Sequence, residues 1–297
     1  KTVHGEGPGE VVVVDNASSD GSSGMVQAEY PWVTLHCNKM NVGFGTAANQ
    51  AVAKCRAKYV LLLNSDILLQ AGAVNALSNY IDLHPRAAIV GPRLVNTDGT
   101  LQVSCYPFPT ILNTFFVDTC FGKLIRYLPV LRNHFLPTWS HYHAKIVPWV
   151  KGAAMAIRRE AFETVGGFDE SFFMYSEEVD LCYRLHAVGW QIHFAPVTTV
   201  VHSGGTSTGQ HQTEMAVQLL VSTFKFYRKH YSGIRLVAMD VLLKNIIRYR
   251  WVIDNVRLHL TCDKRKRAMI AADVAAWQVM LPKPWNAHRQ MTKEPPR

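Results

Sequence analysis

An α/β fold with a mostly parallel sheet follows from three observations on this 297-residue sequence. Short β-branched and aliphatic runs alternate with segments of helical periodicity, the pattern of strand–helix–strand units. The runs Glu10–Val14 (EVVVV) and Tyr59–Leu63 (YVLLL) are continuously apolar, as strands covered on both faces are. Both end in Asp-, Asn- and Ser-containing turns, DNASSDGS and NSD.

Glu10–Val14 is too short for a helix and reads as a buried strand. Val33–His36 is a second short strand. Asn41–Ala57 reads as a helix with a Gly-rich start, Tyr59–Leu63 as a third strand, and Ala71–Leu83 as a helix closed by His84-Pro85. Ala87–Val90 is a fourth strand. From about 103 to 147 periodicity gives way to Pro and aromatic residues, which reads as an irregular, substrate-facing segment. Regularity returns over Val147–Ile157. Helices follow at Arg159–Val165 and Ser176–Val188, and strands at Trp190–Phe194 and Thr198–Val201. Two helices, Thr213–His230 and Arg235–Leu260, fill the C-terminal part.

The composition, 48% hydrophobic and 18% charged, is that of a folded globular chain and excludes disorder. No apolar run reaches the roughly 18 residues of a membrane span. The six Cys are scattered without a C-x-x-C pair, which argues against zinc and redox motifs and fits a reducing cytoplasm. The net charge of +9 is uneven: residues 211–297 hold 16 Lys/Arg against 6 Asp/Glu, while residues 1–210 hold 15 against 16. The C-terminal segment is therefore the part that attracts anionic surfaces. The run Lys264–Arg267 reads as a solvated face, not a nucleic-acid contact.

In open α/β sheets ligands bind beyond the carboxyl ends of the strands. Asp15 and Asp66 each follow an apolar strand there. Either alone would serve as a turn cap. Together they suit a hard divalent cation that bridges substrate phosphates. Gly43-x-Gly45-x-x-Ala48 matches a dinucleotide-binding fingerprint, with Asp66 about twenty residues on. That alternative, an NAD-dependent oxidoreductase, lacks any dehydrogenase-like site downstream, and the glycines also fit a tight helix start. In GGFDESFFMYSEEVDLCYR (166–184), Ser176 can cap a helix with Glu177 and Glu178 in its first turn, and Asp180 can pair with Arg184. Phe168, Phe172, Phe173 and Tyr175 surround these acids with apolar surface. That raises a carboxylate's pKa and favours a general base. His202 ends a strand before a Gly-rich loop and reads as a metal ligand or phosphate contact.

The ordered set VVVVDNASSDGS, NVGFGTAANQA, LLLNSD, VKGAAMAIRREAFETVGGFDESFFMYSEEVDLCYR and VHSGGTS resembles the family 2 glycosyltransferases, most of all a rhamnosyltransferase-like branch of bacterial cell-surface polysaccharide assembly. The resemblance covers about residues 10–210. It implies a GT-A fold, with residues 1–102 as its nucleotide-sugar-binding part, 103–210 as its acceptor-binding and catalytic part, and 211–297 as a basic helical extension. It implies inverting transfer from a nucleotide-diphosphate sugar, with rhamnose from a dTDP donor the first expectation and UDP-sugars the next. By resemblance Asp15 contacts the base and Asp20 belongs to the same motif. Asn64-Ser65-Asp66 stands where the family has its Asp-x-Asp, and Asp66 with His202 holds Mg²⁺ or Mn²⁺. Asn41, Gly43, Trp149 and Gly152 line the donor and acceptor sites. Glu178 is the catalytic base, with Glu177 the alternative. The resemblance also implies a strand–helix unit before the VVVVDN strand. The chain is expected to lack it, which leaves open a non-catalytic carbohydrate- or membrane-binding module. The expected acceptor is a polyprenyl-diphosphate-linked sugar or glycan at the cytoplasmic membrane face, and the basic segment 236–260 is expected either to lie in that interface or to pack on the domain.

Overall fold

The computed structural model describes residues 9–118, 139–204 and 212–281. The chain divides into two compact units, residues 1–108 with 130–204, and residues 109–129 with 205–297.

The first unit runs β1 (Val12–Asp15), α1 (Ser22–Glu29), β2 (Thr34–Cys37), α2 (Phe44–Lys54), β3 (Tyr59–Leu63), β4 (Ile67–Leu69), α3 (Ala73–Leu83), β5 (Ala87–Val95), β6 (Leu101–Gln102) and β7 (Cys105–Tyr106). Helix α4 (Ile111–Asp118) belongs to the second unit. The first then resumes with β8 (Lys145–Val147), β9 (Trp149–Val150), β10 (Ala154–Arg158), α5 (Arg159–Thr164), α6 (Glu177–Ala187) and β11 (Gln191–His202).

The main sheet has seven strands in the order β3-β10-β5-β11-β4, with β6 on β5 and β8 on β11. It is mixed, which corrects the expected mostly parallel sheet. β5 and β11 are parallel, but β10 lies antiparallel between β3 and β5, and β4 is antiparallel to β11. Alternation with helices oriented β3, β5 and β11 alike. The inserted strand β10 is buried at every position, so its burial pattern carries no signal of direction. β1 and β2 form their own two-stranded parallel sheet, and β7 pairs with β9. Among the described residues β1 has a partner only in β2, and β3 only in β10. This explains a second correction: the valines of β1 are half-buried, not core.

The core lies on the main sheet, where Ile89, Met155, Ile157, Leu181, Leu185 and Phe194 are buried together. The two C-terminal strands expected from the sequence are one twelve-residue strand, β11. Its register against β5 shifts between Phe194 and Thr199, around Pro196, which cannot donate to the ladder. Helix α1 escaped the sequence reading because it buries none of its residues.

The second unit contains α7 (Gln212–His230), α8 (Gly233–Leu260) and α9 (Lys264–Met280), the last not anticipated from sequence. Met239, Leu243, Ile246 and Ile247 of α8 pack with Tyr227, Trp277 and Met280. The opposite side of α8 carries exposed apolar residues in two groups, Ile234, Val237 and Val241 near its start and Val252, Val256 and Leu260 near its end, spaced three or four residues apart within each group. Both acids of α8 are engaged, Asp240 with Lys244 at 2.6 Å and Asp254 with Arg257 at 3.3 Å. Arg235, Arg248 and Arg257 remain exposed. Among the described residues no helix is long and apolar enough to cross a membrane.

Candidate active site

Two strand ends and one loop bring a polar cluster together beside the first turn of α6. Asn64, Ser65 and Asp66 link β3 to β4, with the Asn64 N–H bonded to the Ala153 carbonyl at 3.0 Å. β4 pairs with the end of β11, so His202 lies opposite Ile67. The Ser203 N–H donates to the Asp66 carbonyl at 3.1 Å, and His202 Nε2 stands 3.3 Å from Asp66 Oδ1. Strand register therefore sets this pair, not loop packing.

The tautomer of His202 follows from Gln102. The Gln102 amide Nε2 donates to Asn96 Oδ1 at 2.8 Å and to the His202 carbonyl, so its Oε1 is an acceptor. His202 Nδ1 approaches that oxygen at 2.6 Å and must carry the proton. Burial lowers the pKa of His202 and outweighs the opposite effect of Asp66, so the ring is neutral near pH 7. Nε2 then presents a lone pair toward the Asp66 carboxylate. Two electron-pair donors aimed at one space fit a divalent cation. Among the described residues no cluster of three or more His, Cys, Asp or Glu could cage a metal.

Across the site, Tyr175 and Ser176 both adopt left-handed backbone (φ 66° each), an expensive conformation for residues with a side chain. Ser176 occupies the N-cap position of α6, but its side chain makes no capping hydrogen bond, contrary to expectation. The turn instead projects Glu177 and Glu178 inward. Each has a buried Oε2 with no hydrogen-bond partner. Burial raises the pKa of Glu177 well above the carboxylate range, and the neighbouring Glu178 raises it further. Burial also raises Glu178, opposed by its own N–H and those of Gly152 and Val179, and by Lys151. Gly152 approaches Glu178 closely: a Cβ there would lie 3.8 Å from Glu178 Oε1. The Cβ of Glu177 packs against Gly45, 3.7 Å from where a side chain there would start. Lower in the helix Arg184 bonds Asp180 at 2.7 Å as expected, and also holds the carbonyls of Val165 and Gly167.

Gly43 is bound by geometry. Its φ of 87° and ψ of 165° belong to glycine alone, and a Cβ would meet the Phe173 carbonyl oxygen at 2.4 Å. The fingerprint glycines thus serve the contact between the start of α2 and the aromatic loop, which Asn49 reinforces by bonding both main-chain groups of Phe168 at 2.9 Å. Asn41 accepts from the Gly43 N–H at 3.0 Å. Asp15 and Asp20 make their hydrogen bonds locally, to Ser18 and Ser22. Trp149 is held by the Pro107 carbonyl at 2.8 Å and stacks on Tyr106. Asp66, His202, Gly152 and Glu178 come together in one cluster. Gln102 and Lys151 join them and were missed, because a Gln and a Lys in an irregular stretch carry no spacing signal.

Residues 3–220 match a family model described as glycosyltransferase like family 2. The chain belongs to this family and is a glycosyltransferase. It is 30% identical over 245 residues, 77% of each chain, to an N-acetylglucosaminyl-diphospho-decaprenol L-rhamnosyltransferase of Mycobacterium tuberculosis. It is 28% identical over 193 residues to the rhamnosyltransferase WbbL of Escherichia coli, covering 62% of this chain and 69% of that one. A low-salt glycan biosynthesis hexosyltransferase of Haloferax volcanii is 25% identical over 80% of this chain and 74% of its own. The crystal structure of GalNAc-T7 with UDP, GalNAc and Mn²⁺ matches with a TM-score of 0.51 at 13% identity, covering 96% of this chain and 52% of that one, and shares its GT-A-like fold.

Proposed function

We propose that this family 2 glycosyltransferase is an inverting enzyme that moves a sugar, rhamnose first, from a dTDP- or UDP-activated donor to a polyprenyl-diphosphate-linked or glycan acceptor in cell-surface glycan synthesis. The single observation that carries the mechanism is the opposition of two environments: the Asp66–His202 pair at the strand ends, and the half-buried Glu178, whose Oε2 is buried without a hydrogen-bond partner.

The Glu178 carboxylate accepts the proton of the acceptor hydroxyl while that oxygen attacks the anomeric carbon. The bond from that carbon to the diphosphate breaks on the opposite face, its electron pair leaves with the diphosphate, and configuration inverts. The raised proton affinity of Glu178 suits a base working near neutral pH. A Mg²⁺ or Mn²⁺ held by Asp66 and His202 would neutralise charge on the departing diphosphate. Asp15 and Asp20, with Asn41 and Gly43, contact the nucleotide, with Asn64 and Ser65 lining its diphosphate end. Trp149 and Gly152 line the sugar and acceptor side. Glu177, whose proton affinity burial and Glu178 raise well above the ordinary carboxylate value, is not the base.

The M. tuberculosis relative's name carries a decaprenol-linked acceptor. That supports a lipid-linked acceptor here, and the exposed apolar residues of α8 with the exposed Arg235, Arg248 and Arg257 beside them support a peripheral position on the anionic cytoplasmic membrane face. The test is calorimetric titration with dTDP and UDP, with and without Mn²⁺, followed by transfer assays with the matching sugar donors. Metal-dependent binding lost in Asp66→Ala, with transfer lost in Glu178→Gln, is expected. Transfer that survives both substitutions refutes the assignment.

A further inference from the structure

Lys151 lies between the two halves of the site and is unexplained by either. It follows β9, and its N–H donates to the Ser104 carbonyl at 2.7 Å, which fixes the backbone. Its Nζ donates to Gln102 Oε1 at 3.5 Å, the same oxygen that accepts from His202. No carboxylate among the described residues lies within ion-pairing distance of it. Yet its charge is felt by Glu178 on one side and by Asp66 on the other. Burial disfavours its ammonium form, so the fold carries an unpaired, half-buried cation at a cost. Such a group is retained where an anion completes it.

We propose that Lys151 is a donor-diphosphate ligand: its ammonium, tethered by Gln102 and reaching between Asp66 and Glu178, binds a phosphate oxygen of the nucleotide diphosphate and neutralises the charge that gathers there as the sugar departs. This rests on the donor-site reading above. Loss of the glycosidic bond leaves the diphosphate with one more negative charge, so a fixed cation binds the leaving group more strongly than the intact donor and favours bond cleavage. Because Gln102 Oε1 serves both His202 and Lys151, one amide orients both groups toward the same phosphates. A nucleoside monophosphate, lacking the terminal phosphate, gains little from Lys151.

The experiment is calorimetry with dTDP, UDP, dTMP and UMP on wild type, Lys151→Met, Lys151→Gln and Lys151→Arg, each checked for an unchanged thermal midpoint. Lys151→Met should weaken diphosphate binding about 10- to 100-fold, leave monophosphate binding within about twofold, and be largely rescued by Lys151→Arg. Lys151→Gln gives the same contrast where Met lowers stability. Equal losses for mono- and diphosphates, or no loss, overturn the role of Lys151 while wild-type binding upholds the donor site. A folded wild type that binds neither diphosphate overturns the donor site and this inference with it.

Discussion

Replacing Glu178 with Gln should raise stability and lower turnover, whereas replacing Glu177 should raise stability alone, each gain in stability depending on pH. Both carboxylates have raised pKa values in the folded protein, with burial the main cause. The folded state therefore keeps protons that the unfolded chain releases. By linkage, stability falls as pH rises above the unfolded carboxylate value of about 4.3 toward the raised folded values. An unpaired buried polar group costs about 1–3 kcal/mol, and Glu177 is only 5% exposed. Glu177→Gln should thus gain about 1–3 kcal/mol at pH 8 but less than about 1 kcal/mol at pH 5, where the folded carboxyl is already protonated. In thermal denaturation followed by circular dichroism, the gain at pH 8 corresponds to roughly 2–10 °C. Glu178→Gln should show the same sign while kcat drops about 10²- to 10⁴-fold. Glu177→Gln should retain most turnover, because Glu178 and the groups that set its proton affinity, Gly152, Val179 and Lys151, remain in place. A midpoint shift equal at pH 5 and pH 8, or a loss of turnover in Glu177→Gln as large as in Glu178→Gln, refutes this assignment of the two acids.

Gly43→Ala forces a Cβ into the Phe173 carbonyl from a backbone conformation reserved for glycine. A loss on the order of 3 kcal/mol is expected in chemical denaturation, and a loss below about 0.5 kcal/mol would show that the loop yields. Val241→Asp with Val252→Asp places charge on the exposed stripe of α8 without touching its packed face. Flotation with vesicles containing anionic lipid should fall at least about tenfold while the thermal midpoint holds, and unchanged flotation would remove α8 from the membrane contact.

The sequence disclosed the strands and helices whose burial leaves a periodic trace. YVLLL, the helix of Ala73–Leu83 and the charge pair Asp180–Arg184 are of that kind. Direction was not legible, since an all-buried pentapeptide such as Ala154–Arg158 pairs equally well either way. The polar cluster was legible where acids follow or interrupt apolar and aromatic stretches, as at Asp66 and Glu178, which the fold brings to the same place. It was illegible at Gln102 and Lys151, which join His202 only when β6, the β9–β10 turn and the end of β11 meet. The match of Gly43-x-Gly45 to a dinucleotide fingerprint shows the converse: similar glycines are demanded here by the close approach of Phe173 and Phe168.

The ribbon of β1 and β2 has a consequence for how the protein breathes. A two-stranded sheet is marginal by itself. This one is secured at the side-chain level by Asn38, which donates to Asn16 and Gln50 at 2.9 Å each, and by Asn16, which reaches the Gly43 carbonyl at 3.3 Å. The buried strands β5 and β11, by contrast, release their amides only when the whole unit opens. Hydrogen exchange should therefore find two populations on one chain: slow amides along β5 and β11, and faster ones at Val12–Asp15 governed by local opening. Occupancy of the ribbon's edge by a nucleotide would then be readable as slowed exchange at those few amides, before any turnover is measured.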